Sequence, residues 1–209
     1  MSLVLAADYR VPDFDHWWAR LTGDLPRLPS LGAHHIVVYR SLDDASRVFV
    51  TIGIREREPV DALLRSPLMF SWFDAAGVEE IPPMFVGQVV EKLDLAPETG
   101  EAAAAAVGPV IVAAIAPVGR LDGLDRMRAS VHAAVPRLAA SGVHRFWIYR
   151  ALDDQAEVMI LLQIATEAQA EQWIRHPGAA ASFLAEAGAG AYPPLFVGRL
   201  VQVIEVPGT

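Results

Sequence analysis

A thirteen-residue stretch occurs twice in this chain, and that duplication constrains the fold more than any other feature. Gly32-Ala-His-His-Ile-Val-Val-Tyr-Arg-Ser-Leu-Asp-Asp44 returns as Gly142-Val-His-Arg-Phe-Trp-Ile-Tyr-Arg-Ala-Leu-Asp-Asp154, with seven of thirteen positions identical. The same 110-residue offset aligns Pro26-Arg27-Leu28 with Pro136-Arg137-Leu138 and Pro67 with Pro177. It becomes 111 where Pro82-Pro-Met-Phe-Val-Gly87 meets Pro193-Pro-Leu-Phe-Val-Gly198. Solenoid repeats recur every ~20–50 residues, so one long period marks duplicated domains instead. In 209 residues this predicts one domain over 1–95 and a second over 109–209, joined by an alanine-rich linker at 96–108.

Hydrophobic periodicity gives each half the same element order. A short apolar run, Leu3 to Ala7 or Val110 to Ile115, reads as a buried strand. A helix follows: Phe14, Trp17, Leu21, Leu25 and Leu28 keep helical spacing, and Leu124, Met127, Val131, Val135 and Leu138 repeat it. Two strands come next, over 34–40 and 47–55, joined around Leu42-Asp43-Asp44, where aspartate side chains favour a turn. Their counterparts are 144–150 and 157–165. A helical stretch broken at Pro67 or Pro177 and a last strand, Met84 to Val90 or Leu195 to Val203, complete each unit. The order β-α-β-β-α-β is the ferredoxin-like plan. The expected fold class is therefore α+β: two tandem ferredoxin-like domains packed as an intramolecular dimeric α+β barrel, a pseudo-dimer within one chain to which a further homodimer remains open. Both faces of the third strand are apolar, Val48, Val50 and Ile52 against Phe49, Thr51 and Gly53, so neither is suited to water.

Composition removes several function classes. A net charge of −8 with no basic cluster lacks the footprint of nucleic-acid binding. With no cysteine there is no disulfide, thiolate nucleophile or cysteine-ligated cluster. Ala102 to Gly119 is uncharged, yet Gly108-Pro109 interrupts it, so a membrane span is not expected. No export signal is legible, which makes the cytoplasm the expected location, and the arginine- and alanine-rich composition suggests a bacterial source.

The residues Val11-x-x-Phe14-x-x-Trp17, Gly32, Tyr39-Arg40-Ser-Leu-Asp-Asp44, Ser66-Pro67-Leu68 and Ala76-Gly-Val78 before a proline pair resemble the dimeric α+β barrel superfamily. In texture they are similar to its small members of unknown function and to its antibiotic-biosynthesis-monooxygenase-like group. The resemblance implies a shared shape across cofactor-free monooxygenases, haem-degrading enzymes, isomerases, cyclases and proteins of no known activity, and the fold does not choose among them. Two departures matter. The chain contains no asparagine, so the Asn-Trp-His constellation of the haem degraders does not transfer, and Leu63, Leu64 and Arg65 stand where the family's second helix carries a histidine.

The candidate catalytic residues are then His34 and His144, which open the second strand of each half while their neighbours diverge. If strand alternation holds, His34 shares a face with Ile36 and Val38, and His144 with Phe146 and Ile148. On the helix side that would put His34 near Trp17 and Phe73, and His144 near Met127 and Phe183, as general acid or base at the rim of an apolar cleft. His34 and His35 would point to opposite faces, which argues against a shared metal. Candidate substrate-binding residues are Trp17, Tyr39, Arg40, Phe73, Tyr149, Arg150 and Phe183: flat apolar surfaces, phenolic donors, and guanidinium forks that otherwise pair with the turn aspartates. His16 and His132 are expected to face solvent. The functional expectation is a small-molecule-binding protein, a cofactor-independent monooxygenase, cyclase or isomerase acting on a small apolar or aromatic substrate. The alternatives are a non-catalytic binding module, with haem on His34 or His144 as one variant, and a structural or interaction protein whose clefts are filled.

Overall fold

The computed structural model describes residues 3–95, 110–118, 122–176, 185 and 195–206. The elements are β1 (Leu3–Arg10), α1 (Phe14–Asp24), a 3-10 helix (Leu25–Leu31), β2 (Ala33–Ser41), β3 (Arg47–Ile54), α2 (Glu58–Leu64), α3 (Pro67–Ala75) and β4 (Met84–Asp94). They continue with β5 (Val110–Pro117), α4 (Gly123–Ala140), β6 (Val143–Ala151), β7 (Glu157–Ile164), α5 (Glu167–Arg175) and β8 (Phe196–Glu205). The chain is α+β, two tandem ferredoxin-like units. Their strands run β4-β1-β3-β2 and β8-β5-β7-β6, with antiparallel pairing throughout the described registers. The expected linker at 96–108 lies outside the described residues. Among those described, no helix is long and apolar enough to cross a membrane.

Two compact units divide the chain, Met1–Val86 with Val201–Thr209, and Gly87–Leu200. The division cuts both closing strands, which are longer than the apolar runs predict. Gly87–Asp94 of β4 pairs with β6 inside the second unit, and the residues from Val201 onward count with the first.

Local chemistry explains why the repeated residues recur. Asp13 caps α1 by accepting from the His16 amide at 3.0 Å, and Thr166 caps α5 from Gln169. Gly32 and Gly142 end their helices at φ of 73° and 85°, a conformation that side chains resist. Each glycine carbonyl then accepts from the residue after the third strand of its unit, Arg55 or Ala165. In the β2–β3 turn Asp44 Oδ1 accepts from the Ser46 amide, and Asp154 Oδ1 does the same for Ala156.

The first helix differs from its expected twin. α4 continues for 18 residues through Pro136, whereas α1 stops at Asp24 and gives way to a 3-10 helix. Pro26 is shared as Pro136, but Gly23 and Pro29 stand where the second half has Ala133 and Ala139. Glycine lowers helix propensity, and a second proline removes another amide donor, which together favour the tighter turn.

The helix-facing core of the first unit gathers Ala7, Tyr9, Trp17, Leu21, Ile36, Val38, Val48, Val50 and Phe73. Trp17 is fully buried, with Tyr9 edge-on at 5.9 Å and Phe14 tilted at 5.4 Å. Phe70 is 46% exposed on α3.

Strand alternation breaks where it was invoked. Both β2 and β6 bulge at their start, between Ala33 and His35 and between Val143 and Arg145. The extra residue is the repeated histidine in each case. Ile36 and Val38 belong to the helix-side core, yet the rings of both His34 and His35 lie over Gly53, whose missing Cβ would meet them on the opposite face. His34 and His35 therefore share a face, contrary to simple alternation. His34 does not approach Trp17 and Phe73.

Candidate functional site

A cleft of about 480 Å³ opens between the sheet and the helices of the first unit. Its apolar walls come from β1 and β3 (Leu5, Ala7, Val50, Ile52) and from Leu21, Leu28, Leu63, Met69 and Phe73. Tyr9 lines it from β1. Burial raises the Tyr9 phenol far above its ordinary range, partly offset by the neighbouring Trp17 indole, so Tyr9 stays a neutral hydroxyl at any physiological pH.

The polar groups collect at one rim. Arg20 and Asp24 lie one turn apart on α1, the 3-10 segment adds Arg27 beside them, and Trp72 reaches them from α3. Asp24 Oδ2 accepts from Trp72 Nε1 at 3.0 Å and lies 3.2 Å from Arg20 Nε; Asp24 Oδ1 accepts from Arg27 Nη1 at 3.0 Å. Arg20 Nε is itself buried and makes no hydrogen bond of good geometry. Because Arg27 is 78% exposed, its ion pair contributes about 1 kcal/mol or less to stability. The bond from Trp72 to a half-buried carboxylate is the stronger restraint, about 2 kcal/mol.

Of the residues expected from sequence, the cleft includes Phe73 and rests beside Trp17, which fills the core through its contact with Tyr9. The others sit elsewhere. Tyr39 is buried on the face away from the helices. Arg40 donates from Nε to the Ala45 carbonyl at 2.8 Å and stacks over Phe14 at 4.7 Å, so it braces the β2–β3 turn through a carbonyl rather than the aspartates. His144 is exposed, and Tyr149 and Arg150 lie on β6 opposite Val89 and Gln88. Burial pushes the Tyr149 phenol up to about 12. Phe183 lies outside the described residues. His16 is exposed and bonds the Ala75 carbonyl at 2.8 Å, and His132 is an exposed partner of Glu91 at 3.5 Å.

The two bulged histidines share a backbone role. The His34 carbonyl accepts from Val206 at 3.0 Å, and the His144 carbonyl accepts from Leu95 at 2.7 Å, so each bulge receives the residue just past a closing strand. His34 and His35 also bond through their Nδ1 atoms at 2.8 Å, one carrying the proton and the other accepting. Burial and the neighbouring His34 lower the His35 pKa, with Glu205 opposing. Among the described residues, no group of three or more His, Cys, Asp or Glu side chains is arranged to hold a metal ion.

Among the described residues, the second unit keeps little of the first unit's polar rim at the matching positions. Because Ile54 and Ile164 hold equivalent registers, β1 and β5 align with Tyr9 opposite Val48 and Ala116 opposite Val158. Tyr9 thus becomes Ala116, Arg20 becomes Ser130 and Asp24 becomes Ala134; only Arg27 is kept, as Arg137. Leu63 becomes Trp173, which lines a cleft of about 360 Å³ with Ala134, Arg137, Gln172 and His176. The sequence reading singled out none of Tyr9, Arg20, Asp24 or Arg27. The signal available was the difference between halves at aligned helix positions, Arg20 against Ser130 and Asp24 against Ala134.

No protein-family model and no curated protein matches the chain. Solved structures do. An anthrone oxidase-like protein is similar over 98% of this chain and 93% of its own, at 11% identity and a TM-score of 0.69. A ferredoxin-fold protein from Listeria monocytogenes related to antibiotic biosynthesis monooxygenases covers 97% of this chain and 95% of its own, at 9% identity and 0.53. A monooxygenase-like protein from Listeria innocua gives 97%, 95%, 10% and 0.53. At such identities the likeness is one of fold. With the β-α-β-β-α-β order of each unit, it gives the chain the ferredoxin-like fold.

Proposed function

We propose that the helix–sheet cleft of the first half is a binding site for one small, mostly apolar molecule, and that the second half serves it as scaffold. The observation that carries this reading is the cleft itself: about 480 Å³ of mainly apolar wall with a few converging polar groups, larger than the cleft of about 360 Å³ beside Trp173. Its volume falls in the range of about 300–1,000 Å³ common to small-molecule sites. An interaction protein with filled clefts would have Trp17 or Phe73 occupying that space; Trp17 packs below it and Phe73 forms one wall.

The names of the similar structures, anthrone oxidase-like and monooxygenase-like, support an enzyme of that kind acting on a ring-bearing substrate. Within this reading the group able to donate a proton in the cleft is the neutral Tyr9 hydroxyl, not the histidines. Asp24 is committed to Trp72 and two arginines, and its role is to fix the rim.

A neutral fluorescent dye, N-phenylnaphthylamine, tests the reading. Leu63→Trp installs the residue that the second half carries at the matching position and plugs the cleft. The expected result is saturable binding of one dye per chain, weakened at least about tenfold by Leu63→Trp, the effect of losing about 1.4 kcal/mol of apolar contact. Equal binding by wild type and plugged protein would refute it.

A further inference from the structure

We propose that the occupant of the first-half cleft is an amphipathic monoanion: an apolar body carrying a single carboxylate, sulfonate or similar acidic group that docks on Arg20 and Arg27. The inference rests on the reading of that cleft as a small-molecule site and names the chemistry it selects.

The charge count at the rim is unequal. Arg20, Arg27 and Asp24 are the charged residues that line the cleft, two cations against one anion. Guanidinium groups keep their charge at any physiological pH, so the rim holds one uncompensated positive charge in a chain whose net charge is −8. Surface attraction for anions would not be expected of so acidic a protein; a local positive rim over an apolar cleft is a specific feature.

Hydrogen bonding points the same way. Asp24 spends both oxygens on Trp72, Arg20 and Arg27. It holds the two guanidinium groups at the mouth without exhausting them, since each has five N–H donors. The Arg20 side chain is 40% exposed and that of Arg27 78%, so guanidinium donors of both are open to an incoming oxyanion. The second half differs at the matching positions: Arg20 is replaced by Ser130 and Asp24 by Ala134, while Arg27 is kept as Arg137.

Two dyes that differ by one acidic group provide the test. Anilinonaphthalene sulfonate is N-phenylnaphthylamine with a sulfonate added. The anionic dye is expected to bind the wild-type protein about tenfold more tightly at low salt, the ratio that one charge-assisted hydrogen bond supplies. Arg27→Gln and Arg20→Gln each bring that ratio toward one, and added salt shrinks it in the wild type. Leu63→Trp, or Ser30→Trp should the first variant fold poorly, abolishes binding of both dyes. If the neutral dye is blocked by the plug yet the anion has no advantage, or its advantage survives both arginine substitutions, the monoanion is wrong and the apolar site stands. If neither dye responds to the plug, both inferences fall.

Discussion

Replacing Gly53 by alanine places a methyl group where the two histidine rings meet. The added Cβ would lie 2.2 Å from His35 Cε1, 2.5 Å from His35 Nδ1 and 2.7 Å from His34 Nε2. Ordinary contact needs about 3.5–4 Å, so both rings must move by roughly 1 Å or more. Moving them breaks the Nδ1–Nδ1 hydrogen bond, at about 1 kcal/mol, and overpacks the face, at about 1–3 kcal/mol. Gly53 is not among the positive-φ glycines, so alanine also recovers about 0.5–1 kcal/mol of chain entropy in the strand. The net expectation is a destabilisation of about 1–3 kcal/mol. Urea denaturation followed by tryptophan fluorescence reads it, and a cycle with His34→Ala and His35→Ala together isolates the cause. Without the rings, Gly53→Ala should be neutral or stabilising, giving a coupling above about 1 kcal/mol. The same loss in both backgrounds would show that the methyl group clashes with something else and would refute the shared-face placement of the histidines.

Other expectations follow from the same geometry. His35 has a lowered pKa, so between that value and the ordinary histidine value of about 6.5 the unfolded chain binds more protons than the folded one. Stability therefore falls as pH drops through that window, and denaturation midpoints for wild type and His35→Gln across pH 5–8, about the histidine range, should converge at the acid end; parallel curves would contradict this. Asp13→Ala removes the N-cap of α1 and should cost about 1 kcal/mol, read by urea denaturation, with Asp13→Asn recovering most of it.

The duplication carried the fold a long way. Gly32 and Gly142, the paired Asp44 and Asp154 turns and the matched helix faces are local requirements, met twice by independent residues, and so they are legible from spacing alone. The site was less legible because it depends on departures from that regularity. Gly23 and Pro29 turn the stretch after α1 into a 3-10 segment, which is what carries Arg27 to the cleft. The bulge at His34 reverses the face that alternation assigns, and a bulge leaves no mark in a pattern of apolar residues. Residue conservation between the halves pointed to His34, Tyr39 and Arg40. The histidine position supplies a bulge carbonyl in both units and Arg40 braces a turn, which are roles in folding, whereas the proposed site falls at positions where the halves disagree.

The central claim is that one small molecule occupies the first half's cleft and none occupies its counterpart. A crystal structure of the protein with anilinonaphthalene sulfonate or N-phenylnaphthylamine bound tests this most directly. The account predicts density for one dye per chain among Tyr9, Leu63 and Phe73, close to Trp72 and Arg20, and none beside Trp173. Density beside Trp173 alone, or a dye seated outside the cleft of the first half, would contradict it.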